Sequence, residues 1–137
     1  MREAVREYET AVTLTSDPGL LAVTYANLGA AQIALGEPEK ARQYFQEALR
    51  YNAAQFNAWL GLGLLAESQG NLAEAIVDFS RSIEAQPTGQ VFLELGRCLA
   101  QSGRKREALQ AYDEALKISP GLIEAQKAAD ELRYSRP

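Results

Sequence analysis

Few side chains of this chain could do covalent chemistry. Its 137 residues include no histidine and one cysteine, Cys98. Histidine-based zinc sites, Ser-His-Asp triads and Cys-His pairs are excluded, because each needs an imidazole as ligand or base. No disulfide can close within the chain. Cys98 directly follows Arg97 on the inward side of a helical pattern, which suits a small packed thiol better than a nucleophile. Carboxylates are plentiful, but they recur on exposed helical faces, as at Glu37, Glu39 and Glu47. Nothing points to an enzyme or a cofactor, and what remains is non-covalent recognition. The net charge of −4 argues against nucleic acid, which needs a concentrated positive surface. The one basic run, Arg104-Lys105-Arg106, falls in an expected turn and reads as solvated.

The elements that must carry any recognition surface repeat. Tyr25-Ala26-Asn27-Leu28-Gly29, Trp59-Leu60-Gly61-Leu62-Gly63 and Phe92-Leu93-Glu94-Leu95-Gly96 line up at spacings of 34 and 33 residues. Each is followed by a second glycine (Gly36, Gly70, Gly103), an alanine (Ala41, Ala75, Ala108) and an aromatic (Phe45, Phe79, Tyr112) at the same spacings. A fixed period in this range signals a stacked array in which each unit buries its apolar face on the next. Every segment reads as helix: 2–14, 18–35, 38–51, 54–69, 72–85, 88–102, 104–118 and 120–134. The punctuation supports this. Asp17 precedes Pro18 as a cap, Asn71 caps the fifth helix, and Ser119-Pro120 is expected to open the last. Gly36, Gly70 and Gly103 suit left-handed helix ends. Gly29, Gly63 and Gly96 lie inside helices, where glycine costs about 1 kcal/mol relative to alanine. Close backbone approach to Ala41, Ala75 and Ala108 is the expected reason.

These landmarks resemble those of the tetratricopeptide repeat, and the resemblance covers residues 22–122 as three units. There are departures: Ala53 where a closing proline is usual, Gln32 and Ala66 for an aromatic, and Ser82 where Ala48 and Ala115 stand in the other copies. These suggest looser local packing. The resemblance implies an all-α, right-handed α-solenoid of antiparallel pairs. One domain spans 1–134: a half repeat (1–17), repeats at 22–55, 56–88 and 89–122, and a capping helix at 120–134 that overlaps the third. Residues 135–137 form a tail.

The resemblance also implies that the first helix of each repeat lines a concave groove that takes a peptide or partner segment. Carried over, the lining is Val23, Ala26, Asn27, Ala30 and Ile33, then Asn57, Leu60, Leu64 and Glu67, then Gln90, Leu93, Glu94, Arg97 and Gln101. These residues lie on the helix face opposite Leu28-Gly29 and its equivalents. Val23, Ile33, Leu60, Leu64 and Leu93 then have no evident structural duty, and an exposed apolar stripe edged by polar groups marks an interaction site. Asn27 and Asn57 could donate to and accept from a ligand backbone. Chaperone co-factors of this class grip an acidic tail with a lysine, arginine and asparagine clamp. The aligned positions here hold Ala26, Ala30, Gly61, Gln90 and Glu94, so such tails are not the expected ligand. An apolar segment with few acidic residues is.

The ends differ. Leu122, Ala125, Ala129 and Leu132 form one stripe on the last helix, while Gln126, Asp130 and Arg133 replace the residues that would face a further helix. Val5 and Tyr8 of the first helix are expected to face a missing preceding helix, so the chain is read as a piece of a longer protein. The alternative is self-association through that edge. No signal peptide or membrane-length apolar run is visible, and a cytoplasmic location is favoured. The leading function is a protein-interaction scaffold. The alternatives are a self-assembly module or the regulatory domain of an enzyme elsewhere in a parent chain.

Overall fold

A computed structural model describes residues 1–135. The chain forms α1 (Arg2–Leu14), α2 (Pro18–Ala34), α3 (Pro38–Tyr51), α4 (Phe56–Ser68), α5 (Leu72–Ala85), α6 (Gly89–Gln101), α7 (Lys105–Ile118) and α8 (Ile123–Arg133). There is no strand among the described residues. The helices pair antiparallel as α2/α3, α4/α5 and α6/α7, with α1 against α2 and α8 against α7. Inner helices also touch directly, α2 with α4 and α6 with α8. The result is a right-handed α-solenoid. No helix among the described residues is long and apolar enough to cross a membrane.

Helix ends follow the local chemistry. Asp17 Oδ1 accepts from the Gly19 amide at 3.0 Å, with Pro18 in the first turn, where its missing N–H costs nothing. Asn71 accepts from the Glu74 amide and donates back to its carboxylate at 2.9 Å. Thr88, which the sequence did not single out, caps α6 through the Val91 amide. Gly36, Gly70 and Gly103 have φ of +75°, +77° and +80°. Each closes its helix with a bond from its own amide and one from the following amide, such as Glu37 N to Gln32 O at 2.9 Å. Two starts differ from expectation. The α4 helix begins at Phe56 because Asn52 folds the preceding residues into a turn, accepting from the Ala54 amide at 3.0 Å. That turn does the work of the proline absent at Ala53. The α8 helix begins at Ile123, and Pro120 lies in the turn before it instead of opening the helix.

The interior glycines have a different partner from the one expected. A Cβ built on Gly29 would lie 2.5 Å from the ring of Phe45, and one on Gly63 2.5 Å from the ring of Phe79. One on Gly96 would collide with the ring of Tyr112. The glycines make room for aromatic rings of the outer helices, not for Ala41, Ala75 and Ala108. Those alanines are fully buried beside the rings. Ser82 is not a loose spot. Its hydroxyl donates to the Phe56 carbonyl at 3.0 Å, tying α5 to the first turn of α4.

The terminal helices also differ from each other. Ala125 and Ala129 are buried, and Leu122 and Leu132 pack on the same cluster as Tyr112 and Leu93, as the stripe implied. Val5 and Tyr8 do not face an empty side. They pack inward with Leu28, Ala31 and Tyr44, because α1 lies on α2 through the same face that an outer helix uses. Its outward residues Arg2, Glu3, Arg6, Glu7 and Thr10 are polar and exposed. Val5 and Tyr8 therefore do not form the apolar edge expected at this end, where Met1 and Leu14 are the exposed apolar side chains.

Asp78 sits where the other outer helices place Tyr44 and Ala111, and it is only 7% exposed. Burial, reinforced by Glu74 and opposed by Arg81, raises its carboxyl from 3.8 to about 6. A folded-state value above the unfolded one favours folding at low pH, and the contribution is lost as pH rises through about 6. Asp78→Asn should therefore stabilise the protein by about 1–3 kcal/mol at neutral pH. The gain should vanish near pH 4; paired thermal melts at the two pH values check this. Gly63→Ala should cost about 1–3 kcal/mol by overpacking against Phe79, despite alanine's better helix propensity. Phe79→Leu in the same chain should recover part of that loss in a denaturant titration.

Candidate functional site

The concave face is built from α2, α4 and α6, continued by α8. Its residues sort by repeat position. Val23, Asn57 and Gln90 are one aligned row, and all three are exposed. One further period reaches Glu124 on α8, also exposed. A second open row is Ala34, Ser68 and Gln101. Both rows are open to water, and their residues range from apolar to acidic.

The row Ala26, Leu60 and Leu93 behaves differently. Ala26 is 3% exposed and Leu93 is 0% exposed, so neither lines an open groove. Leu93 belongs to the core cluster of Tyr112, Ala108 and Ala125. Leu60 and Leu64 are half-buried against Phe79, Val91 and Cys98. The reason is geometric. The residue one turn along from the open row points at the next inner helix, and the stack needs it apolar. The expectation that Leu60, Leu64 and Leu93 lack a structural duty is therefore corrected.

What remains accessible is unevenly composed. On α2, Val23 is 44% exposed and Ile33 38% exposed, with Asn27 and Ala30 exposed between them. Leu20, 49% exposed, extends the strip and went unremarked in the sequence. Its position three residues before Val23 was the available signal. On α6, Glu94 is 8% exposed. Its Oε1 accepts from Gln90 Nε2 at 3.0 Å and from Arg97 Nη1 at 3.4 Å. Burial is the main force raising the Glu94 carboxyl above the ordinary range, followed by the neighbouring charge of Glu67. Arg97 is half-buried and its other terminus reaches Glu124 Oε2 at 3.2 Å. Beyond Arg97 and Gln101 the groove opens into a cleft of about 570 Å³ between α6 and α8, with Glu124 and Lys127 on its far wall.

Cys98 is fully buried and donates to Glu67 Oε2 at 3.1 Å. Burial first, then the Glu67 hydrogen bond and charge, push its thiol up to about 12. Reactivity needs the thiolate, so this cysteine is a packed donor. No group of three or more His, Cys, Asp and Glu residues could hold a metal ion among the described residues. The basic run is surface: Arg104 pairs with Glu107 at 2.6 Å, both half-exposed. A maleimide at near-neutral pH should label the native thiol far more slowly than the urea-unfolded one. Equal rates in the two states would contradict the buried Cys98–Glu67 contact.

Profiles of the tetratricopeptide repeat match residues 26–89 and 89–122. Anaphase-promoting complex subunit 3 of Schizosaccharomyces pombe is 32% identical over 83 residues, covering 60% of this chain and 12% of that protein. Tetratricopeptide repeat-containing protein trd-1 of Caenorhabditis elegans is 31% identical over 133 residues, covering 96% of this chain and 16% of that protein. The chain thus spans about a sixth or less of the length of these relatives. Among solved structures, YrrB, described as a TPR protein with an unusual peptide-binding site, superposes with a TM-score of 0.82 at 21% identity. That match covers 91% of this chain and 63% of YrrB. A unit of about 34 residues, matched in sequence from residue 26 to residue 122 and folded as antiparallel helix pairs, makes this chain a member of the tetratricopeptide repeat family.

Proposed function

We propose that the chain is a protein-interaction scaffold that binds a segment of a partner protein along its concave face. The observation that carries this reading is the open strip on α2. Val23 and Ile33 remain 44% and 38% exposed, on a helix with no charged residue in its 17 positions. An uncharged, apolar helix face left open to water gains free energy when a partner covers it, at roughly 25 cal/mol per Å² of apolar surface. Asn27 and Asn57 offer amides to the backbone of an extended segment. Glu67 and Glu94 disfavour an acidic ligand, and the clamp positions lack the cations that a carboxylate-terminated tail would need. YrrB, with its described peptide-binding site, sets a precedent for a peptide ligand on this fold. The reading assigns no catalytic role to any residue, since the accessible groups bind and do not activate. Self-assembly is the weaker reading, because Val5 and Tyr8, which would have driven it, pack inward against α2 and α3.

The test uses the exposed pair, because aspartates at the half-buried Leu60 and Leu64 would also damage the stack. Val23→Asp with Ile33→Asp should leave stability within about 0.5 kcal/mol of the parent. The same variant should lose the partners that the immobilised parent captures from lysate. Unchanged capture by a folded variant would move the binding surface to the outer helices or the turns.

A further inference from the structure

The inner face is graded in charge along the array, and the gradient says what its occupant must carry. The α2 helix contributes no charged side chain, and α4 contributes Glu67 alone. Glu94 and Arg97 come from α6. The α8 helix brings Glu124, Lys127, Asp130, Glu131 and Arg133. The apolar half of the groove therefore runs directly into a charged half, and Glu67 marks the border.

At that border the internal pairing does not balance. Among the described residues, Arg97 is the one cation facing Glu94, and the carboxylates facing it are Glu67 and Glu124. The two ends of the guanidinium are already engaged, one on Glu94 and one on Glu124. Glu67 has the Cys98 thiol as its hydrogen-bond partner, a weak neutral donor. Among the described residues, three carboxylates thus lie near one guanidinium, and only two of them bond it. Lys127 and Glu131, further along the cleft wall, offset each other. The floor at Glu67 and Glu94 keeps an excess of negative charge beside an apolar strip.

We propose that the segment bound in the groove carries a lysine or arginine whose head group seats on Glu67, next to the buried Glu94, while its flanking apolar side chains cover Val23, Ile33, Leu60 and Leu64. This rests on the groove reading above and adds a specificity to it. The chemistry fits the border position. A long cationic side chain lays its methylene stem along apolar surface and places its donors on the half-buried Glu67 carboxylate, with the Glu94 charge behind it. The fork of an arginine matches a carboxylate pair-wise. Such bonds are stronger than neutral ones, and a neutral or acidic residue at the same place would leave the excess charge uncompensated.

The test is a selection of random dodecapeptides displayed on phage against the immobilised chain. Enriched peptides should carry a lysine or arginine next to apolar residues. Glu67→Gln with Glu94→Gln, checked for an unchanged helical melt, should bind the best such peptide about tenfold more weakly. Added salt should weaken the parent complex and leave the variant complex nearly unaffected. Glu67→Lys should shift the selected residue from basic to acidic, and it stays informative if the double variant fails to fold. Apolar peptides without basic residues, lost on the Val23→Asp, Ile33→Asp background, would overturn the cation site and leave the groove reading intact. Basic peptides indifferent to Glu67→Gln would also overturn it. Peptides indifferent to Val23→Asp and Ile33→Asp would overturn the groove reading itself.

Discussion

The array depends on an aromatic ring lying where a glycine has no side chain. Phe45, Phe79 and Tyr112, at most 3% exposed, reach from the outer helices onto the bare backbone of Gly29, Gly63 and Gly96. A methyl group at any of the three would overlap the ring. The ring of Phe45 also lies against Gly61 of the next repeat, so one side chain joins two units. This fixes how closely outer and inner helices approach. The fully buried alanines beside each ring follow from that spacing, since nothing larger fits.

With the rings holding the outer helices, the inner helices divide their surface among three duties. One face meets the paired outer helix, one meets the next inner helix, and one is left to water. The second duty keeps Ala26, Leu60 and Leu93 apolar, and the third leaves Val23, Asn57, Gln90 and Glu124 exposed. Asp78 violates the pattern on the outer side, because a carboxyl occupies a place that a tyrosine and an alanine fill elsewhere. The outer helix of the second repeat therefore carries a buried carboxyl that the other outer helices lack.

The period, the eight helices and most caps were legible because each is written in residues with one strong local preference. Glycines at positive φ, Asp17 before Pro18, and Asn71 before an acidic third residue all act within a turn. The starts of α4 and α8 were less legible. Asn52 builds its turn with a side chain, and Pro120 is compatible with a turn as well as with a first helical turn. The groove was the hardest part to read. The α2 and α4 helices are apolar nearly all round, so periodicity cannot separate the face toward the next helix from the face toward water. Comparing the copies would have helped. Over the three repeats one row holds Val, Asn and Gln, while the other holds only Ala and Leu. Val5 and Tyr8 misled for a related reason, because an apolar helix face does not say which neighbour covers it.

That open row has a consequence for how such a protein changes over generations. Its four residues, Val23, Asn57, Gln90 and Glu124, already run from apolar through amide to acid without disturbing the helices that carry them. Substitutions at Val23, Asn57 and Gln90 fall outside the ring-on-glycine contacts, whereas Glu124 also pairs with Arg97 between α6 and α8. Selection can therefore alter ligand preference one repeat at a time, with folding held constant, and duplication of a repeat adds a new letter to the row without rewriting the rest.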